Sequence, residues 1–548
     1  MNTAYLLLSA FVISFVALML FIWSQRSGLF DRTSTGAEVI FAPGEIGRVE
    51  EPAATPGERA ELQGTVNEAR EAAPCPPDPQ ELADRAEADA STATLVLVLF
   101  CCAVFWLLLA STAGLTASIK LHEPDWLTQQ AWLTFGRIRT LHLNAVAYGW
   151  APMAGLGIAM FILPRVLKTP LAGSRYALVG VALWNIAVMA GLTSIAIGIN
   201  DGLEWLEIPW QIDILMLIGG ALMALPLLFT LVRRRVKHLY VSVWYMGAAL
   251  FWLPVMLVVA KFPGLHSGVQ QATTNWWYAH NVLGYFFTPL AIAAVYYFLP
   301  KVIGRPVQSY NLSLLGFWGL AFFYGQVGGH HLIGGPVPAW VVTLSIVQSM
   351  MMIIPVVAFT VNQWQTMNGR WATMRHSPTL RFVVAGAAMY TLSSLQGSFG
   401  ALRELNVVTH FTHYTVGHAH LGMYGFVSFV FFGAMYFVMP RIMGREWPYA
   451  GWITAHFWLV FAGFMVYFWA LTIGGWLQGT AMLDAARSFM DSVAVTLPYL
   501  KARSIGGSFM LAGHLVFIAH FVMLVMGWGP QRETPALFRA GKVEGVYA

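Results

Sequence analysis

His418 and His420 are separated by one residue. Two residues along a helix is about 200° of rotation, so the imidazoles point to opposite sides and one helix can hold two metals. His330 and His331 are adjacent, and with His280 they make a three-nitrogen site of a kind that suits copper, iron or zinc. His142 remains as an opposing ligand for one of the His418/His420 pair. A low-spin haem takes two axial histidines, whereas a high-spin haem takes one and keeps a site open.

The elements that must position these side chains are membrane spans. The chain has 548 residues, 57% hydrophobic and 10% charged, against roughly 25% charged in soluble proteins. That excludes a water-soluble globule and makes a lipid bilayer the solvent. The net charge of +5 is not a nucleic-acid signal, because the basic residues sit in short loops between apolar runs. Cys75, Cys101 and Cys102 include no C-x-x-C-H, so no c-type haem is attached here, and they provide no dinuclear copper site.

Thirteen apolar segments have spanning length: near 3–24, 92–119, 143–164, 176–199, 210–232, 240–260, 278–299, 310–332, 338–361, 382–400, 415–438, 452–475 and 507–529. Alternate loops carry the basic clusters, notably Arg165/Lys168/Arg175, Arg233 to Lys237, Lys301/Arg305, Arg370/Arg375/Arg381 and Arg441/Arg445. The positive-inside rule makes that side cytoplasmic. All six histidines then fall in the outer half of the bilayer, where ionisable residues are costly and usually functional. A single intramembrane histidine is as readily a packing residue, and that reading suits His456, His514 and His520. Independent packing histidines would not share a depth and supply H-H and H-x-H pairs. His122, His238, His266 and His376 read as loop residues.

The expected organisation is an all-α multi-pass protein: an N-terminal transmembrane anchor over 1–30, a flexible cytoplasmic linker over 31–91, a twelve-helix core over 92–530 and a cytoplasmic tail over 531–548. The linker assignment rests on a stretch rich in Glu, Ala and Pro without apolar periodicity.

The runs "RTLHLNAVAYGW", "NWWYAHNVLGYFFTP", "YGQVGGHHL" and "HFTHYTVGHAHLG" resemble the catalytic subunit of C-type (cbb3-type) haem–copper oxygen reductases over roughly residues 92–530. The resemblance implies a twelve-helix fold, with His142 and His420 as axial ligands of a low-spin haem b. It implies His418 as proximal ligand of a high-spin, b-type haem, and His280, His330 and His331 on copper. Tyr324 matches the family's active-site tyrosine, cross-linked in relatives to the counterpart of His280. Arg139 matches a haem-propionate partner, and His410 is a weaker candidate. The implied reaction is reduction of O2 to water in a bacterial inner membrane. Electrons come from membrane-bound c-type cytochrome subunits and protons from the cytoplasm.

Tyr324 lies seven residues before His331, close to two helical turns, so the two should share a face; Ser313 lies eleven residues earlier on nearly that face. A polar stripe of Ser313 and Tyr324, with Tyr297 and Tyr310, could carry protons; a chance polar face is as good a reading. Glu204 and Glu207 read as solvated loop acids or as ligands of a structural calcium. The first 31 residues are similar to a small one-span maturation protein encoded with these oxidases.

The sequence departs from the family pattern. Gln396 stands where a Glu is usual behind the proximal histidine, and His413 stands where an acid is usual; both remove negative charge expected near the high-spin haem. Nitric oxide reductases share the fold, with non-haem iron in place of copper and NO as substrate. Their usual members carry a Glu four residues after the first metal histidine. Here that position is Gly284, with Gln326 as the residue a variant iron site would use. A transporter or channel with buried histidines is the other rival; it does not explain H-x-H opposite His142.

Overall fold

The computed structural model describes residues 33–42, 45–67 and 79–531, together with Phe15, Met19, Ile22, Trp23 and Arg26. The remainder of the expected anchor and the tail beyond Gln531 lie outside the described residues. Two short helices come first, α1 (Thr33–Glu38) and α2 (Pro56–Asn67). Twelve long helices follow: α3 (Pro79–Lys120), α4 (Phe135–Leu167), α5 (Ser174–Ile197), α6 (Trp210–Val232), α7 (Val241–Lys261), α8 (Val269–Ile303), α9 (310–332), α10 (Ala339–Met367), α11 (Pro378–Gly400), α12 (His413–Met443), α13 (Gly451–Leu483) and α14 (Phe489–Val525). All except α9 and α11 are long and apolar enough to cross a membrane by length and composition. Helices dominate because lipid offers backbone groups no hydrogen-bond partner, and a helix satisfies them internally.

Burial sorts these helices. The apolar stretches of α4, α8 and α12 are 94%, 89% and 89% buried, against 33–50% for the other seven candidate spans. The buried three carry His142, His280 and the His418/His420 pair. Each also departs from α geometry just past its histidine, through π-helical turns at Ala145–Trp150, Leu283–Phe287 and Leu421–Ser428. In the first two a proline follows, Pro152 and Pro289. Proline lacks an N–H and clashes with the carbonyl four residues back, and a wider turn relieves both. In α12 small residues serve instead, and Ser428 Oγ donates to Met423 O at 3.1 Å.

The expected linker 31–91 differs in its described part. Residues 79–91 already belong to α3. Residues 36–42 and 45–66 form a strap against the ends of the bundle that carry the basic loops. Glu45 accepts from Lys301 Nζ at 2.7 Å and pairs with Arg85. Glu50 pairs with Arg441 and lies 3.6 Å from Arg165 and 3.8 Å from Lys301. Glu51 is buried, accepting from Ser377 and from Thr379 Oγ1, the latter at 2.7 Å. Gly47 N donates to Gly304 O at 2.7 Å, and Arg370 donates to Thr65 O at 2.9 Å. Charge and hydrogen bonds hold the strap together with a few scattered apolar side chains, Ile40, Phe41, Leu62 and Val66, which are buried without a regular stripe. Burial alone would push the carboxyls of Glu45 and Glu50 up. The cations beside them, Arg85 and Lys301 for Glu45 and Arg441, Lys301 and Arg165 for Glu50, hold both below the usual carboxylate range. Glu51 is pushed up by burial, which its hydroxyl donors only partly offset.

Candidate metal centre

His142 and His420 face each other across a cavity of about 550 Å3. Their ring centres are 6.3 Å apart and their planes within 8°. His142 Nδ1 lies 2.8 Å from Ala110 O, and His420 Nδ1 lies 2.8 Å from Val416 O. A carbonyl only accepts, so each Nδ1 carries the proton and each Nε2 keeps its lone pair. That is the outer hydrogen bond expected of a metal-ligating imidazole. The spacing leaves room for a metal with a bond of about 2 Å to each ring. Gly114 makes this possible, since a Cβ there would lie 2.7 Å from the His142 ring. The residues therefore fit a bis-histidine haem. Arg139 and His410 also line this cavity, with Arg139 paired to Glu204.

Sequence reasoning missed two residues of this wall. Tyr467 OH lies 3.1 Å from His420 Nε2, and Arg503 Nε donates to Tyr467 OH at 3.0 Å. Arg503, a buried arginine in an apolar 37-residue helix, was a visible signal.

A second cavity of about 140 Å3 adjoins the first and shares Trp205, Trp276, His331 and Met423 with it. His280, His330, His331 and His418 line it. One nitrogen from each of His280, His330 and His331 falls within 4.8 Å of the others; among the described residues this is the one group of three or more histidine, cysteine or acidic side chains so placed. His330 Nδ1 is 3.0 Å from Ser349 Oγ, whereas the buried Nδ1 atoms of His280 and His418 have no hydrogen-bond partner. Gly397 backs His418, with a Cβ there 2.8 Å from the ring. By donor chemistry, three imidazoles and a fourth across a cavity fit a copper or iron ion beside a five-coordinate haem.

Tyr324 stacks on His280 at 5.1 Å between ring centres, tilted 25°, and its hydroxyl lies 3.4 Å from His280 O. The expected shared α face of Tyr324 and His331 does not form, because 324–332 winds as a 3-10 helix. The tyrosine reaches the site through His280 instead. A Cβ at Gly284 would run into the Tyr324 ring, so a Glu at that position and this tyrosine placement exclude each other. Gln326 lines neither cavity; its N–H donates to Gln348 Oε1 at 2.9 Å.

The polar stripe is only partly assembled. Ser313 accepts from Asn362 Nδ2 at 3.0 Å, and Tyr296 lies beside both. Tyr297 points elsewhere, accepting from Arg165 Nε at 2.7 Å. Tyr310 lies towards the basic end, its hydroxyl donating to Leu239 O at 2.9 Å. Above this group, the Tyr245 ring stacks on Tyr296 at 6.2 Å, and Tyr390 lines the second cavity with Tyr324.

The structure also places His413, Gln396 and the two outer-loop glutamates. His413 lines the larger cavity rather than the one holding His418. Gln396 lines neither, and its buried Oε1 has no hydrogen-bond partner. Glu204 and Glu207 turn to different partners, Arg139 and Asn144 Nδ2 at 2.9 Å. Burial pushes the Glu207 carboxyl up, against the pull of Asn144.

Comparison with known proteins agrees with this geometry. The family described as cytochrome C and quinol oxidase polypeptide I matches residues 94–509. Subunit CcoN1 of the cbb3-type cytochrome c oxidase of Stutzerimonas stutzeri is 33% identical over 429 residues, 75% of this chain and 90% of that one. A cytochrome c oxidase subunit 1 homolog of Agrobacterium tumefaciens is 31% identical over 451 residues, covering 79% and 83%. Cytochrome c oxidase subunit 1 of Rhodobacter capsulatus is 31% identical over 439 residues, covering 75% and 81%. A solved haem–copper terminal oxidase dimer shares the fold, with a TM-score of 0.68 at 16% identity over 81% of this chain and 85% of that one.

Proposed function

This chain belongs to the cytochrome c and quinol oxidase polypeptide I family, a haem–copper membrane oxidoreductase subunit, and from that membership we propose that it reduces O2 to water with electrons from c-type cytochrome subunits. The observation that carries the reading is Tyr324 packed on His280 beside the three-imidazole group, with Gly284 giving it room.

His142 and His420 would hold a low-spin haem b, His418 a high-spin b-type haem, and His280, His330 and His331 copper. When bound, these groups relay electrons and bind O2. The chain's own residues do the rest. Ala110 O and Val416 O fix the tautomers of His142 and His420, so each presents Nε2. Ser349 Oγ donates its proton to Ser345 O at 2.7 Å, which leaves it to accept from His330 Nδ1 and fixes that tautomer too. The Tyr324 phenol can give up an electron together with its proton. Arg139 and His410, at the rim of the larger cavity, would meet the propionates. Ser313, Asn362, Tyr296, Tyr245 and Tyr390 would serve as a file from the basic end towards Tyr324, along which protons pass from the cytoplasm; the supporting contacts are Asn362 on Ser313, Tyr245 stacked on Tyr296, and Tyr390 in the cavity of Tyr324. Tyr297 has no part in it. The bacterial sources of these relatives support an inner-membrane location, and the first 31 residues would act as an anchor of the maturation-protein kind.

Nitric oxide reduction loses support at Gly284 and Gln326. Haem extraction with iron and copper counted per chain tests the reading. Two irons and one copper are expected; three irons and no copper would sink it.

A further inference from the structure

At its basic end the polar file meets a histidine so far without a role. Tyr310, three residues before Ser313, packs its ring 6.1 Å from Tyr240 and 5.2 Å from His238. His238 lies between α6 and α7 and is half-buried. Its Nε2 is buried and has no hydrogen-bond partner among the described residues. The strap covers that nitrogen. Gly36, in α1, approaches so closely that a Cβ there would lie 2.6 Å from His238 Nε2 and 3.1 Å from Tyr310 Cδ1. Any other residue would force the strap off the ring or the ring off Tyr310. The strap is not loosely laid there. Nine residues on, Glu45 joins Lys301, and Glu50 joins Arg165 and Arg441, which fixes its path across the same end of the bundle.

We propose that His238 is the proton inlet of the file, and that the strap holds it against Tyr310 through Gly36. The inference rests on the oxidase reading and on the file above. An imidazole suits the task because its two nitrogens can take up one proton as the other is released, leaving the ring unchanged. The half-buried ring leaves an edge to solvent while Nε2 lies under the strap at Gly36, with the ring packed on Tyr310. His238 touches neither substrate nor cofactor, so it acts as a positioned relay, not as a catalytic residue. The expected linker would then be a working part of the intake.

The test uses the purified holoenzyme and follows proton uptake with a pH dye when fully reduced protein meets O2, with haem spectra recorded in parallel. His238→Ala should slow uptake and turnover by about tenfold or more, leave the haem spectra unchanged, and recover as free imidazole is added. Gly36→Ala, which keeps the histidine but displaces it, should slow uptake more mildly. If His238→Ala takes up protons at the wild-type rate, or slows without rescue by imidazole, the proposal is overturned. If His238→Ala fails to accumulate, wild-type uptake by Gly36→Ala overturns it equally. Ser313→Ala separates the two levels: slow uptake there with normal uptake in His238→Ala rejects only the inlet, whereas normal uptake in Ser313→Ala rejects the file itself.

Discussion

Replacing Gly284 with alanine adds one methyl group, and its carbon would fall on Cε1 and Cζ of Tyr324. Non-bonded carbons rest at about 3.5–4.0 Å, so the phenol must shift by more than about 1 Å. It cannot do so and keep its stack on His280, 5.1 Å away. Overpacking of this kind costs about 1–3 kcal/mol. Because the side chain can swing aside, most of that cost should appear as a displaced tyrosine, not as unfolding. A displacement of about 1 Å at a reacting group costs about a hundredfold in rate. Gly284→Ala should therefore reduce O2 consumption per haem about a hundredfold while keeping the low-spin haem spectrum. Gly247, within α7, is the control: a Cβ there meets nothing within 4 Å, and alanine should leave turnover intact and add up to about 1 kcal/mol of helix stability. Wild-type turnover by Gly284→Ala would refute the reasoning, since it would mean that Tyr324 does not need this position.

Two more outcomes follow from the geometry. Ser349→Ala removes the hydrogen bond that orients His330 and should weaken copper binding about 10- to 100-fold, read by metal analysis after dialysis against a chelator, with both haems retained. The strap should be acid-sensitive in a defined sense. Glu45 and Glu50 titrate below their usual range, so their contribution is complete above an ordinary Glu pKa of about 4.3 and is lost as pH falls through the depressed values. Protease cleavage within 45–67 should thus stay slow at pH 5 and rise sharply only below about 4. Glu51 has the opposite sign: burial raises its pKa, so its contribution is lost as pH rises, and Glu51→Gln should resist cleavage better than wild type at pH 8. Cleavage independent of pH would contradict both assignments.

The histidines were legible because a membrane makes each one expensive, so their number and spacing could not be accidental. The span pattern was legible for the same reason, down to α9 and α11, whose apolarity is weaker. The strap was not. It docks through Glu45 and Glu50 onto arginines and lysines that the charge rule reads only as loop markers, and through Glu51 onto the hydroxyls of Ser377 and Thr379, and such docking leaves no periodicity. Spacing could not say that Tyr296, and not Tyr297, lies beside Ser313, because neighbouring positions on a helix differ by about 100°. The face assigned to Tyr324 failed because the chain changes from α to 3-10 winding at that residue.

The π turns bear on how these helices tolerate change in length. Each works as a coupling between two shafts: the ligand-bearing half above it, and the half reaching the basic loops below. One surplus residue shifts the sequence register of the lower shaft by about 100° against the upper, and the wide turn absorbs that shift locally. Deleting a single residue from Ala145–Trp150, Leu283–Phe287 or Leu421–Ser428 would restore an ordinary helix and leave the side chains above and below it in place. Buried partners such as Arg165, Lys301 and Arg441 would keep their carboxylates. A deletion elsewhere in these helices would turn every side chain between it and the coupling by about 100°, whereas a deletion at the coupling would turn none.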